Sequence, residues 1–244
     1  MHAAVVVGMV IAAALLLIIV GLLAAIWRPP GILIRCLQRR YPDVIWERSD
    51  VQGRLIALTI DDGPSSCTQE ILDILQANEA TATFFAIGSH MPGHEEVLQQ
   101  LLAGGNELGN HTVYDEPSWK LSDDELSSQI HVVDRQIGAL YAAAGLPRPR
   151  KYFRPGSGFF TRRMRALIRD LGHSLVLGSI YPHEPQIRSA RLNAWHIMSL
   201  LRPGAIIICH DGRKWTAPML RHVLPRIKQR GYRVVCLSEL LQNR

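Results

Sequence analysis

The hydrophobic pattern divides this chain into two unlike parts. Ala3 to Trp27 holds no charged residue. As a helix that stretch reaches about 37 Å at ~1.5 Å per residue, enough to cross a hydrocarbon core of about 30 Å. The run is too long for a secretory leader and no Lys or Arg precedes it, so residues 1–27 are expected to be a single membrane anchor. Residues 28–53, rich in Pro and Arg, read as a linker, and residues 54–244 as one domain. From Leu55 onward, short apolar runs alternate with helical stripes. The strand-like runs are Leu55–Ile60, Ala82–Ile87, Glu107–Asn110, Lys151–Phe153, Ser174–Gly178, Ala205–Cys209 and Tyr232–Leu237. Between them, Ser66 with Gln69 and Ser122 with Glu125 have capping-box spacing ahead of apolar stripes. Two further stripes, Met164 to Leu171 and Leu220 to Ile227, are closed by Gly172 and Gly231. This alternation predicts an α/β fold on a parallel sheet, closed or nearly closed into a barrel, with an open doubly wound sheet as the alternative. No GxGxxG follows the first strand, which argues against a dinucleotide site.

Charge changes this picture only near the anchor. The net charge is +6, and Lys and Arg are scattered apart from Arg28, Arg35, Arg39 and Arg40. Those four suit anionic lipid headgroups rather than nucleic acid, and by charge asymmetry alone they favour a cytoplasmic domain. The four cysteines have no CxxC pair and no metal-ligand spacing.

Candidate chemistry gathers at the carboxyl ends of the strands, where parallel α/β folds hold their sites. The first strand stops at Asp61-Asp62-Gly63-Pro64. Two adjacent carboxylates at the mouth of a buried strand call for a divalent metal or a shared proton. His111 and Asp115 stand four apart; on a helical turn they would share a face and reach one ion, with Asp62 as a third ligand and open positions left over. His210 ends the sixth strand, where an imidazole can donate a proton to a leaving amine. Arg154 opens Arg154-Pro155-Gly156-Ser157-Gly158, a turn whose backbone N–H groups can face a developing oxyanion. Glu184 lies in the loop after the fifth strand. Trp215, just past the sixth strand, is the better candidate for a sugar-binding wall, whereas Trp195 sits at core-like helical spacing. The remaining histidines, including His90, His173 and His196, are expected on helices or surface turns without partners.

These residues together resemble the polysaccharide deacetylase family (NodB homology) from about Arg54 to Leu240. The family's Thr-Phe-Asp-Asp-Gly-Pro stands here as Thr59-Ile60-Asp61-Asp62-Gly63-Pro64, followed by Thr83-Phe84-Phe85. Its His-Ser/Thr-x-x-His becomes His111 to Asp115, with aspartate in place of the second histidine. Its Arg-x-Pro-Tyr-Gly is altered to Arg154 to Gly158, and its final Leu-x-His is Ile208-Cys209-His210. The resemblance implies a distorted (β/α)7 barrel of the polysaccharide deacetylase type, preceded by one transmembrane helix. It implies metal-dependent removal of acetyl groups from N-acetylated sugars of a chitin- or peptidoglycan-like polymer. Asp61 would be the general base, Asp62, His111 and Asp115 the ligands of one divalent ion (Zn²⁺ first, then Mn²⁺ or Co²⁺), and His210 the acid. Arg154 and Glu184 would pair and tune the base, Ser157 would flank the oxyanion, and Ile208 would line the acetyl pocket. A cell-envelope substrate would put the domain on the outer face, against the arginine asymmetry. An Asp-His-Asp set would leave a more neutral centre that polarises water less. Two other readings stand beside this one: a carbohydrate-binding domain without turnover, and a hydrolase of a small non-carbohydrate amide.

Overall fold

The computed structural model describes residues 2–243; Met1, the first residue of the expected anchor, lies outside them, as does Arg244. Helix α1, His2–Trp27, is uninterrupted. Its segment Val6–Trp27 has a mean hydropathy of 3.1, long and apolar enough to cross a membrane. Pro29 and Pro30 end it, because proline offers no N–H to continue the ladder. Pro30 then stands as the N-cap of a second helix, α2, Gly31–Arg40.

Residues 28–53 are not a linker. Besides α2 they carry a short strand, β1, Val44–Ile45, which pairs in parallel with a later strand through Val44↔Leu175 and Ile45↔Val176. Ile34 and Val44 are buried in the domain core. A two-residue strand gives no periodicity to read, which is why the pattern hid it.

The seven expected strands all form, with ends within one or two residues of expectation: β2 Leu55–Asp61, β3 Thr83–Ala86, β4 Glu107–Asn110, β5 Tyr152–Phe153, β6 Ser174–Val176, β7 Ile206–His210 and β8 Arg233–Val235. With β1 they make one eight-stranded sheet in the order β1-β6-β5-β4-β3-β2-β7, and β8 pairs with the first half of β2. Every ladder is parallel. Single bridges tie Ile180 and Glu47 back to β7 and draw the two sheet edges together. The result is a distorted, incompletely laddered barrel.

The helices α3 Thr68–Ala77, α4 Glu95–Ala103, α5 Asp123–Ala143, α6 Arg162–Asp170, α7 Ala190–Leu200, α8 Thr216–Gln229 and α9 Leu237–Gln242 complete the chain. Ser122 forms the predicted capping box with Glu125 at the start of α5. The other predicted box fails: α3 starts two residues beyond Ser66, and its N-cap, Cys67, makes no side-chain cap bond. Ser65 and Thr68 instead bond the buried Asp211 carboxylate, so tertiary contacts with β7 displaced the local motif.

Alternation along β2 sets what faces where, since side chains switch sides at every residue. Ile56, Leu58 and Ile60 pack outward with Leu72, Leu75, Val223 and other helix residues. Leu55 and Ala57 pack inward with Phe85, Tyr152, Val176 and Ile206, and α9 adds Leu237 and Leu240 to this inner cluster. Continuing the inward parity past Ala57 gives Thr59 and then Asp61, at the open end. On β7, Cys209 joins the outer core while Ile206 joins the inner one, so Ile208 and His210 follow Ile206 inward.

Candidate active site

Inward parity converges on one mouth. Asp61 and His210 are register partners on adjacent strands. Directly past β5, Arg154 follows Tyr152 inward, and its guanidinium lies over the Phe85 ring at 4.2 Å. On β4, Gly109 sits opposite Phe85 in register. A Cβ there would come within 2.7 Å of the Phe85 ring, so glycine makes room for the aromatic floor beneath Arg154. A cavity of about 540 Å³ opens above this layer, lined by Asp61, Asp62, His111, Arg154, Ile208 and His210 among others.

Arg154 is buried and holds Asp61. Its Nη1 donates to Asp61 Oδ1 at 2.6 Å and to Thr59 Oγ1 at 2.7 Å, while Nη2 donates to the Leu177 carbonyl at 2.7 Å. Thr59, in the same inward row, donates its own hydroxyl hydrogen bond to the Ile207 carbonyl at 2.7 Å. The guanidinium reaches Asp61 through Nη1 alone, and its bonds to Thr59 and to the Val176 and Leu177 carbonyls fix its plane in a way that a lysine could not copy.

Asp62 leaves the strand with φ +68. That left-handed turn sends it elsewhere than its neighbour and resolves how two adjacent carboxylates serve one site. Its Oδ1 lies 3.5 Å from His111 Nε2. The other ring nitrogen of His111, Nδ1, donates to the Arg154 carbonyl at 2.7 Å, which leaves Nε2 with its lone pair free in the neutral ring. Burial works hardest against charge on His111, yet the bond to Asp62 and the charges of Asp61 and Asp62 together raise its pKa. Burial likewise opposes ionised Asp62, but His111, His210 and Arg213 outweigh it and lower its pKa.

These two donors fit a divalent ion. A separation near 3.5 Å is what two ligands at about 2.1 Å from one ion subtend in a tetrahedron. The expected third ligand is not in place. The segment after His111 is irregular rather than a helical turn, with Thr112 at φ +67, so the i, i+4 argument does not apply to it. Asp115 lines the cavity but remains exposed. Among the described residues, no three His, Cys, Asp or Glu side chains are close enough to share a metal. The second oxygen of Asp62 instead meets Arg213, with Nη2 at 3.4 Å.

His210 is held from behind. Its Nδ1 lies 2.7 Å from Glu184 Oε1, and Glu184 is fully buried. Burial disfavours the imidazolium most, but the bond and charge of Glu184, with help from Asp61 and Asp62, raise its pKa to about 8. Glu184 therefore partners His210, not Arg154 as the family pattern suggested. The arginine already spends its donors on Asp61, Thr59 and two carbonyls. Ser157, at φ +64, and Ile208 both line the cavity. The turn before Ser157 needs glycine, because a Cβ on Gly156 would strike the Glu116 carbonyl at 2.1 Å.

Trp215, expected at a sugar-binding wall, is not among the residues that line the cavity. Its indole N–H donates to the Glu184 carbonyl, clamping that loop. Trp195 is not core: it is 52% exposed on α7. The histidines expected to lack partners include two that are buried: His173 bonds Asp134, and His196 is enclosed in the core. His90 bonds the Asp62 carbonyl. Conversely, Trp46, Tyr181 and Arg213 line the cavity without having been singled out. Their only sequence signal was nearness to recognised residues: Tyr181 three before Glu184, Arg213 three after His210. Trp46 gave none, since it lies outside the alternating part.

Comparison with known proteins agrees with this geometry. The family model for polysaccharide deacetylase matches residues 48–176. A peptidoglycan-N-acetylglucosamine deacetylase of Bacillus cereus is 32% identical over 205 residues, 82% of this chain and 93% of that protein. A chitooligosaccharide deacetylase of a Bradyrhizobium species is 28% identical over 219 residues, 84% of this chain and 95% of the other. Among solved structures, a peptidoglycan deacetylase of Bacillus subtilis superposes with a TM-score of 0.71 at 28% identity, covering 78% of this chain and 91% of that one.

Proposed function

The chain belongs to the polysaccharide deacetylase family and is a carbohydrate deacetylase, and from that premise we propose that it removes acetyl groups from N-acetylglucosamine units of a chitin- or peptidoglycan-like polymer, with one divalent metal ion. The observation that carries this reading is the pairing of two separately braced groups across one mouth: Asp61 held by Arg154, and His210 held by Glu184.

Asp62 and His111 would hold the metal, and Asp115, on the same cavity wall, is the proposed third donor. Held there, Zn²⁺ or a similar ion would supply Lewis acidity. Asp61 accepts the proton of the attacking water, because Arg154 holds its carboxylate in a fixed direction. His210 starts protonated, as a pKa of about 8 allows at neutral pH. It gives that proton to the departing sugar amine as the C–N bond breaks, leaving acetate behind. Ile208 walls the acetyl group, and the turn at Ser157 faces its oxygen.

The apolar α1 supports a membrane-held protein, and a cell-envelope polymer favours the outer face. The test is metal analysis together with acetate release from N-acetylglucosamine oligomers and from peptidoglycan. Acetate release that depends on Asp61 and on added metal is the expected outcome. The incomplete ligand set favours one second reading, a carbohydrate-binding domain without turnover. Oligomer binding with no acetate release at any metal concentration would establish that reading instead.

A further inference from the structure

The end of the apolar helix does not hang free of the domain. Trp27 stacks on His183 with ring centroids 4.6 Å apart and planes 5° from parallel. His183 Nε2 donates to the Trp27 carbonyl at 3.0 Å. The same indole meets His196 edge-on at 5.1 Å, and Arg28, the next residue, donates to the Ser199 carbonyl on α7. His196 is fully buried, with neither ring nitrogen bonded to a protein partner. Burial holds its pKa down to about 4, so it is a neutral aromatic surface for Trp27 to pack against.

The far side of this stack is the active site. His183 precedes Glu184, the residue that holds His210. Tyr181 touches both ends, edge-on to His183 at 4.8 Å and to His210 at 5.8 Å. His183 adopts φ +63, a conformation costly for a residue with a Cβ and kept only where surroundings enforce it. Its carbonyl is in turn bonded by the N–H groups of Gln186 and Ile187. The loop is therefore gripped from two sides, by Trp215 at the Glu184 carbonyl and by Trp27 at His183.

We infer that Trp27 is a positioning residue of the active site: the last residue of the apolar helix docks loop 181–187 and, through it, fixes where Glu184 and His210 stand. The helix is then more than a tether. A chain that lost α1 up to this residue would lose one of the two grips on its own catalytic loop.

The experiment compares wild type, Trp27→Ala and Trp27→Phe, each as the full chain in detergent micelles. The first readout is amide hydrogen exchange of the peptide spanning residues 181–187. Removing the aromatic contacts should speed its exchange about tenfold in Trp27→Ala, with exchange in β2 and β7 unchanged. Trp27→Phe, which keeps a ring on His183, should restore most of the protection. Trp195→Ala, on the same helix α7 but exposed, should leave the loop as it is. The second readout rests on the deacetylase reading: kcat should fall by at least about tenfold in Trp27→Ala, with KM within about twofold, as misplacement of a catalytic group predicts. Unchanged exchange of the 181–187 peptide would overturn the inference, whatever the activity. So would faster exchange with full wild-type kcat. If the wild-type chain releases no acetate, the functional proposal fails on its own, and the exchange comparison still decides whether Trp27 holds the loop.

Discussion

The residues of the mouth show how environment assigns chemistry. Glu184→Gln keeps the size and a hydrogen bond but removes the charge that favours the imidazolium of His210. In the metal-free protein, His210 should titrate near 8 in wild type and drop toward the ordinary imidazole value of about 6.5 in the variant, as followed by NMR of the ring protons. The sign carries through to stability. A group whose folded pKa is raised stabilises fully below its unfolded pKa and loses that contribution as pH rises through the folded one. Wild type should thus lose stability between about 6.5 and about 8, and Glu184→Gln should lose less over that interval. For the metal, His111→Ala removes one of only two donors already in place and should weaken affinity by at least about a hundredfold, whereas Asp115→Ala should cost nearer tenfold. Calorimetric titration separates the two, and unchanged affinity in Asp115→Ala would mean that Asp115 is no ligand. Asp61→Asn should leave metal affinity near wild type while lowering turnover by about a hundredfold or more. Loss of metal in that variant would reverse the roles given to Asp61 and Asp62.

At the scale of elements, helix ends and strand parity carry the fold, and they are separable from the chemistry. The capping box of Ser122 and Glu125 closes the first turn of α5, and neither residue lines the cavity. Ser122→Ala should cost about 1 kcal/mol of stability, measured by denaturant unfolding, with acetate release unaltered. Strand parity matters in the opposite way. Because Thr59 and Asp61 share the inward row with Leu55 and Ala57, the residues that fill the barrel and the residues that work at its mouth are one continuous series. A one-residue slip of β2 would exchange that row for Ile56, Leu58 and Ile60. The left-handed residues Asp62, Thr112 and Ser157 follow β2, β4 and β5 within a few residues, and His183 lies in the loop between β6 and α7; at each the chain turns and re-aims a side chain. Each conformation costs on the order of 1–3 kcal/mol, a cost the surrounding ladders and ion pairs offset.

At the scale of the whole molecule, the segment that follows α1 is part of the domain. A chain beginning at Asp50 would lack α2, β1 and Trp46. It would also lack Glu47, whose carboxylate pairs with Arg202. It would uncover the β6 edge and the core contacts of Ile34 and Val44. Such a chain should be free of the membrane fraction yet melt at least about 5 °C below one beginning at Arg28, on the usual scale of 2–4 °C per kcal/mol for domains of this size. Thermal unfolding of the two truncations checks this. Equal melting temperatures would return residues 28–53 to the status of a linker. The full chain should need detergent for extraction, as the unbroken apolar surface of α1 requires.

What the sequence determined by itself was everything written in local periodicity. The apolar helix, the strands from Leu55 onward, the Ser122 cap and the placing of Asp61, Asp62, His111, Arg154 and His210 at strand ends all follow from spacing of side chains along the chain. Family motifs added the roles. Tertiary structure alone decided which neighbours those residues meet. Glu184 faces His210 rather than Arg154, Trp215 clamps a loop rather than lining the cleft, and Asp115 stands off from the Asp62–His111 pair. It also brought Trp27 and Trp46, from opposite sides of α2, onto the loop and the mouth. The physical reason is one of range. Periodicity reports which face of an element is buried, within a few residues. Partnership at a barrel mouth depends on how separate strands end and turn, and left-handed turns such as those at Asp62 and Thr112 redirect a side chain without leaving a mark in the pattern of hydrophobic and polar positions.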